Sequence, residues 1–131
     1  MAEIYQYFTW LHVIWLAIGG AFGAALRYCV SQVLQSYRAA WPWATWSVNL
    51  LGALVLGFMA AYFNDSGYSP GFLFWEIGVL GGFTTMSTFA FETLMMVRAR
   101  RILVAVGYIV GSALGGIGAI ILGFQLGGLL S

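Results

Sequence analysis

Hydrophobic positions along the chain gather into four long stretches, near Thr9 to Val33, Trp43 to Phe63, Phe72 to Val97 and Ile102 to Leu130, separated only by the short segments QSYRAAWP, NDSGYSP and RARR. Each stretch reaches the ~20 residues that a helix needs to cross a bilayer. Connections this short leave no room for a soluble domain and make consecutive helices antiparallel neighbours. The pattern predicts an all-α integral membrane protein, a single four-helix transmembrane domain over residues 1–131. The third stretch is unlike its neighbours. From Gly81 to Glu92 it reads GGFTTMSTFAFE, with a break at Gly81-Gly82 and polar groups at Thr84, Thr85, Ser87 and Thr88. Lipid offers no hydrogen bonds, so backbone that leaves the helical ladder at membrane depth survives only where it lines a cavity or finds partners within protein. A broken third helix carrying hydroxyls points to a pore.

Composition narrows the function classes. The 131 residues are 62% hydrophobic and 7% charged, with mean hydropathy +0.91, against roughly 45–50% and about 25% in soluble proteins. The N-terminus opens on Glu3 rather than a basic region, so the first helix is expected to remain in the mature protein. Cys29 is the sole cysteine and reads as packing. The chain has no Lys, and its five Arg cannot build a nucleic-acid-binding face beside lipid, which excludes nucleic acid as a partner. Trp41, Trp43 and Trp46 around Pro42 read as an interfacial belt. Arg27, Arg38, Arg98, Arg100 and Arg101 all fall at or near the loops of one side, whereas the other side carries Glu3 and Asp65. The positive-inside rule then puts both termini outside the cytoplasm.

Within the helices, Gly19, Gly23 and Arg27 recur every four residues and share a face. The glycines fit close helix packing, while Arg27 is either a snorkelling anchor or an attractor of anions. Asn49 stands alone among apolar neighbours, open to two readings: a hydrogen-bonding tie between helices, or a pore-lining donor. Thr85, Thr88 and Glu92 share one face of the third helix, Met86 and Phe89 the next. Glu92, before RARR, fits a boundary salt bridge as well as a part in conduction. In the fourth helix Gly107, Gly111 and Gly115 form a packing face, beside a short polar line of Tyr108 and Ser112 that continues as Gly116. His12 stands alone near a helix start. No transition-metal cluster, phosphate loop, nucleophile with a base, or carboxylate pair appears, which argues against an enzyme.

With these residues in place, the chain resembles the Fluc (CrcB) fluoride channels over essentially its full length. The motifs GGAFGAALRY, WATWSVNLLGALVLG and GVLGGFTTMSTFAFET carry the match, the last being the most specific. The resemblance implies a dual-topology architecture: two four-helix subunits assemble antiparallel, with paired fluoride pores along their interface. It also implies a structural Na⁺ at the dimer centre, held by backbone carbonyls at the positions matching Gly81 and Thr84; carbonyls freed by a helix break are hard ligands for a hard cation. The fluoride pathway maps to Asn49, the vestibule arginine to Arg27, and the polar track to Tyr108 and Ser112, with Ser87 and Thr88 beside an aromatic pair. Of that pair only Phe89 is present. Met86 stands at the other position, and a thioether lacks the positive ring edge that phenylalanine offers an anion. Gly116 stands where the family has a further hydroxyl.

The expected function is a passive, fluoride-selective channel in a prokaryotic inner or plasma membrane, exporting cytoplasmic F⁻. The partners are lipid and a second four-helix subunit, a homodimer by family default. The arginine bias and the changes at Met86 and Gly116 also fit a subunit of a heterodimer, and in the extreme a non-conducting one. A small dual-topology drug or cation transporter is the other alternative. Such proteins carry an acid deep in the first helix, whereas this chain has none between Thr9 and Val33, its intramembrane candidate being Glu92.

Overall fold

The computed structural model describes residues 9–34, 41–63 and 70–130. Helix α1 spans Trp10–Leu34 and α2 spans Trp43–Tyr62. Helix α3 occupies 70–83, as a first turn Pro70–Phe72, a π-helical segment Leu73–Val79 and a last turn Leu80–Phe83. Helix α4 spans Met86–Arg98 and α5 spans Ile102–Leu130. Of these, α1, α2 and α5 are each long and apolar enough to cross a membrane. Helices α3 and α4 are too short alone and together replace the third hydrophobic stretch. Glu3, Arg38 and Asp65, on which part of the topology reading leans, lie outside the described residues.

Two helix pairs organise the chain. Helix α1 runs along α3, where backbones nearly touch: a Cβ on Gly19 would meet the Phe74 carbonyl, and one on Gly23 would meet the Val79 carbonyl and lie 2.8 Å from the Phe83 nitrogen. Gly78 and Gly82 answer from α3 against Gly19 and Gly20. Small residues thus do here what hydrophobic burial does in water, because lipid tails are as apolar as Leu and association rests on close contact.

The most extensive pairing joins α2 to α5. Its close crossing lies at Gly57, Gly123 and Gly127, where added Cβ atoms would strike the Ile120, Leu54 and Phe58 carbonyls. The expected packing face at Gly107, Gly111 and Gly115 instead meets only side chains, the Trp41 ring at 3.9 and 3.6 Å and Leu50 at 3.4 Å. Four-residue glycine spacing marks a smooth stripe, but the neighbour's shape decides which part of it receives backbone. Among the described residues the largest fully buried side chains are Tyr108, Leu73 and Val48, while many large apolar groups face outward as a lipid-solvated surface requires.

The reversal from α4 to α5 is tight. Arg100 adopts φ 58°, and the Arg101 N–H returns to the Met96 carbonyl at 2.9 Å, a left-handed cap that satisfies the last carbonyls of α4.

Candidate functional site

The site is built on the interruption between α3 and α4. Thr84 (ψ 158°) and Thr85 (φ −146°, ψ 120°) are extended, and the ladder restarts at Met86. Asn49 meets this break from α2, on the face that also presents the buried Thr45, Val48 and Gly52. Thr85 N–H donates to Asn49 Oδ1 at 2.8 Å, and Asn49 Nδ2 donates to the Thr85 carbonyl at 3.1 Å. The amide thus pairs with the Thr85 peptide at both ends, and the two bonds together fix which end of the side chain is oxygen. Thr85 Oγ1 then accepts from Thr88 N–H at 3.2 Å, capping α4.

These bonds release two carbonyls. In an unbroken α-helix the Thr85 and Thr88 amides would bond the carbonyls of Gly81 and Thr84. Both amides are engaged elsewhere, by Asn49 and by the Thr85 hydroxyl. Gly81 and Thr84 are the positions proposed for Na⁺, so oxygen donors suited to a hard cation are available there. No cluster of three His, Cys, Asp or Glu exists among the described residues to compete for a cation. The Thr84 hydroxyl is turned back onto the Leu80 carbonyl at 2.9 Å and serves its own helix.

Beside the break lies a cavity of about 350 Å³ lined by Arg27, Ser31, Thr45, Thr85 and Thr88 among others. Thr85 Oγ1 donates to Thr88 Oγ1 at 3.1 Å and lies 3.3 Å from Ser87 Oγ. The cavity therefore combines a guanidinium with a hydroxyl cluster, a lining that favours an anion. Arg27 and Thr88 are brought together here although 61 positions apart.

A second polar knot joins α2, α4 and α5. Glu92 accepts from Thr45 Oγ1 at 2.9 Å and from Tyr108 OH at 2.8 Å. Thr45 is a functional candidate that the sequence did not suggest; spacing places Glu92 near Thr88 and leaves it open to a boundary salt bridge or a part in conduction, but nothing local connects it to Thr45. Tyr108 is fully buried, with Phe89 at 4.9 Å and Trp41 edge-on at 5.4 Å between ring centroids. Its hydroxyl hydrogen is committed to Glu92, whereas Ser112 Oγ is buried with no hydrogen-bond partner among the described residues. Along this line Ser112 holds the uncommitted donor. Tyr108→Phe is expected to leave Glu92 with one donor, costing about 1–3 kcal/mol at a charged acceptor, readable as a lower unfolding temperature of the purified protein.

Met86 and Phe89 do not converge. Phe89 packs inward on Tyr108, while Met86, at the start of α4, is 73% exposed. A Cβ on Gly116 would meet nothing within 4 Å. A second cleft of about 320 Å³ is lined by Asn49, Leu56, Glu76, Gly81, Thr84 and Ile120 among others. Glu76 is the carboxylate that the sequence reading passed over. Its signal was present, a single acid inside FLFWEIGV, where an ionisable group at membrane depth marks function by default.

Residues 14–124 match the protein family described as CrcB-like protein, Camphor Resistance (CrcB). The chain is 39% identical over 119 residues to the fluoride-specific ion channel FluC of Chloroflexus aurantiacus (strain ATCC 29366 / DSM 635 / J-10-fl), covering 88% of this chain and 94% of that one. It is 38% identical to the protein of the same name from Helicobacter pylori (strain HPAG1), over 86% of this chain and 90% of the other. Fluoride-specific ion channel FluC 2 of Rhodococcus jostii (strain RHA1) is 41% identical, over 87% of this chain and 96% of its own length.

Proposed function

We propose, since this chain belongs to the CrcB family, that it is a passive fluoride channel of a prokaryotic membrane, a multi-pass protein through which F⁻ leaves the cell. The drug or cation transporter alternative is not favoured, and the chain is read as a channel and not an enzyme. One observation carries the reading beyond kinship. Gly81, Met86, Ser87 and Thr88, at the break, are exposed on the single chain, and a polar break cannot face lipid. A second four-helix subunit covers it in this reading, antiparallel to the first, with the ion path along the shared face.

The residues divide the work by their chemistry. Arg27 raises the local anion concentration in the hydroxyl-lined cavity. Ser87 and Thr88 replace water around F⁻, and Asn49 has one amide hydrogen beyond the bond it gives to Thr85. Phe89 contributes a positive ring edge, and Tyr108 and Ser112 form the line on α5. The Gly81 and Thr84 carbonyls are the groups suited to hold Na⁺ at the dimer centre. When bound, that cation supplies positive potential beside the anion path. Met86 lies on the same route, where its thioether offers no ring edge. Met86→Phe is therefore expected to raise fluoride efflux several-fold with chloride still excluded, measured as initial rates in liposomes.

The reading is tested with liposomes containing only this purified chain, loaded with fluoride or chloride, and followed with ion-selective electrodes. Rapid fluoride loss with chloride retained is the expected result. Retention of fluoride by well-folded protein would overturn the self-sufficient channel and favour an obligate second subunit.

A further inference from the structure

We propose that the turn between α4 and α5 binds the headgroup of an anionic phospholipid, with the Arg98 and Arg100 guanidiniums as the groups that hold its phosphate. The site is independent of which ion the chain conducts. It rests on charge, depth and an apolar seat. Arg98 closes α4 and Arg100 lies two positions on. The left-handed Arg100 (φ 58°) and the Arg101 N–H on the Met96 carbonyl keep this reversal tight. Both arginines are exposed, and among the described residues neither guanidinium carries a hydrogen bond or ion pair. The preceding acid in the chain, Glu92, is occupied by Thr45 and Tyr108, and no acid follows it. Two positive charges thus stand close together with no carboxylate bound to them.

Tryptophan sets the depth. Trp41 and Trp46 pack against the buried cluster of Met96, Ala105 and Tyr108, of which Met96 precedes the arginines and Ala105 follows them. Trp43 lies edge-on to Trp46 at 5.7 Å between ring centroids and is half-exposed. The basic turn and the tryptophans therefore share one end of the bundle, and such indoles settle at the headgroup level of a bilayer. Beside the arginines the surface is apolar: Val97 and Ile102 are half-exposed and Leu103 is 89% exposed. A free anion has no use for that seat, whereas a phospholipid joins a phosphate to acyl chains that fill it. The planar fork of arginine meets phosphate oxygens in pairs and is weakly hydrated. One arginine near an anionic membrane surface gains about fivefold in affinity, and two gain about thirtyfold. A lipid held this way braces α4 against α5, whose direct pairing is slight beside that of α2 with α5.

The test follows the unfolding temperature of the purified, assembled full-length chain in neutral detergent micelles as palmitoyl-oleoyl phosphatidylglycerol is added, since a ligand of the folded state raises it. A saturable rise is expected. Phosphatidylcholine with the same acyl chains is expected to respond at least about tenfold more weakly, and inorganic phosphate not at all. Arg98→Gln with Arg100→Gln should move the phosphatidylglycerol midpoint about thirtyfold higher. Arg98→Lys with Arg100→Lys keeps both charges and should stay within about threefold of wild type. Salt screens exposed charges, so the wild-type midpoint should also weaken several-fold as NaCl is raised, which decides the matter even where the glutamine pair does not fold. An unshifted midpoint in the glutamine pair would overturn the proposal, as would a salt-insensitive wild type. The same loss in both pairs would overturn it too, marking a disturbed turn rather than a lost charge. An equal rise with phosphatidylcholine would reduce the surface to acyl-chain contact, and an equal rise with inorganic phosphate would make it a free-anion site; either sinks the lipid assignment.

Discussion

Asn49→Asp is expected to fold and yet to slow fluoride efflux by at least about a hundredfold. The replacement keeps the oxygen that accepts the Thr85 N–H, so the end of α3 retains its principal tie. It exchanges the Nδ2 donor, which holds the Thr85 carbonyl at 3.1 Å, for a carboxylate beside the proposed anion path. Two like charges about 4 Å apart at an effective dielectric of ~20 repel by about 4 kcal/mol, enough for a decline of about a thousandfold if the encounter is that close. Asn49→Ala separates the alternatives. It removes both bonds and strands the buried Thr85 N–H at about 1–3 kcal/mol, the Thr85 carbonyl keeping its first intrahelical bond in α4, so it should lower the unfolding temperature as well as the flux. The comparison needs efflux rates and thermal unfolding on the same preparations. Wild-type flux through Asn49→Asp would assign the amide to holding the helix break alone.

Gly23→Val should yield no stable, assembled protein. Even the first carbon of a side chain there would press on the Val79 carbonyl and approach the Phe83 nitrogen at 2.8 Å. Both are backbone atoms of the α3 segment that leads to Gly81 and Thr84, so they cannot yield as a flexible side chain would. Overpacking typically costs about 1–3 kcal/mol, and here relief requires α1 to separate from α3, which drags the break with it. Gly116→Ser is the matching control, since nothing lies within 4 Å of its added carbon. Size-exclusion profiles and unfolding temperatures should show the serine variant like wild type and the valine variant aggregated or absent. A well-assembled Gly23→Val would mean that α1 is not held at this crossing.

Much of this was legible along the chain. That the third stretch breaks was visible because Gly-Gly and clustered hydroxyls contradict an otherwise lipid-compatible run, but the place was not: Gly81 and Gly82 stay helical and the chain leaves the ladder at Thr84 and Thr85, where Asn49 takes up the Thr85 peptide. The packing glycines of α1 were visible for a similar reason: spacing of four puts them on one face, and a face without side chains has little use except close approach. In α5 the same logic found a packing face at Gly107, Gly111 and Gly115, which receives the side chains of Trp41 and Leu50, but not the closest crossing at Gly123 and Gly127, because the glycines look alike in sequence and only the path of α2 distinguishes them. Glu92 was noticed for its nearness to RARR, but its bonds to Thr45 and Tyr108 reach across 47 and 16 positions, and no local spacing predicts them. Glu76 carries its signal as a lone acid within FLFWEIGV, but its place in one cleft with Asn49 and Thr84 is set by how α2 meets α3.

What the sequence determined by itself was membrane residence, the helical class and the fact that the third stretch breaks. These follow from hydropathy and from the rule that backbone in lipid satisfies itself within each segment, which are local properties of the chain. The tertiary structure decided which groups the break sets free. Asn49 and Thr85 stand 36 positions apart, and their pairing turns a disordered-looking motif into two available carbonyls, with a basic cavity on one side and an acidic cleft on the other. That outcome depends on how α2 lies against α3 and α4, a matter of shape between distant segments that composition and periodicity do not encode.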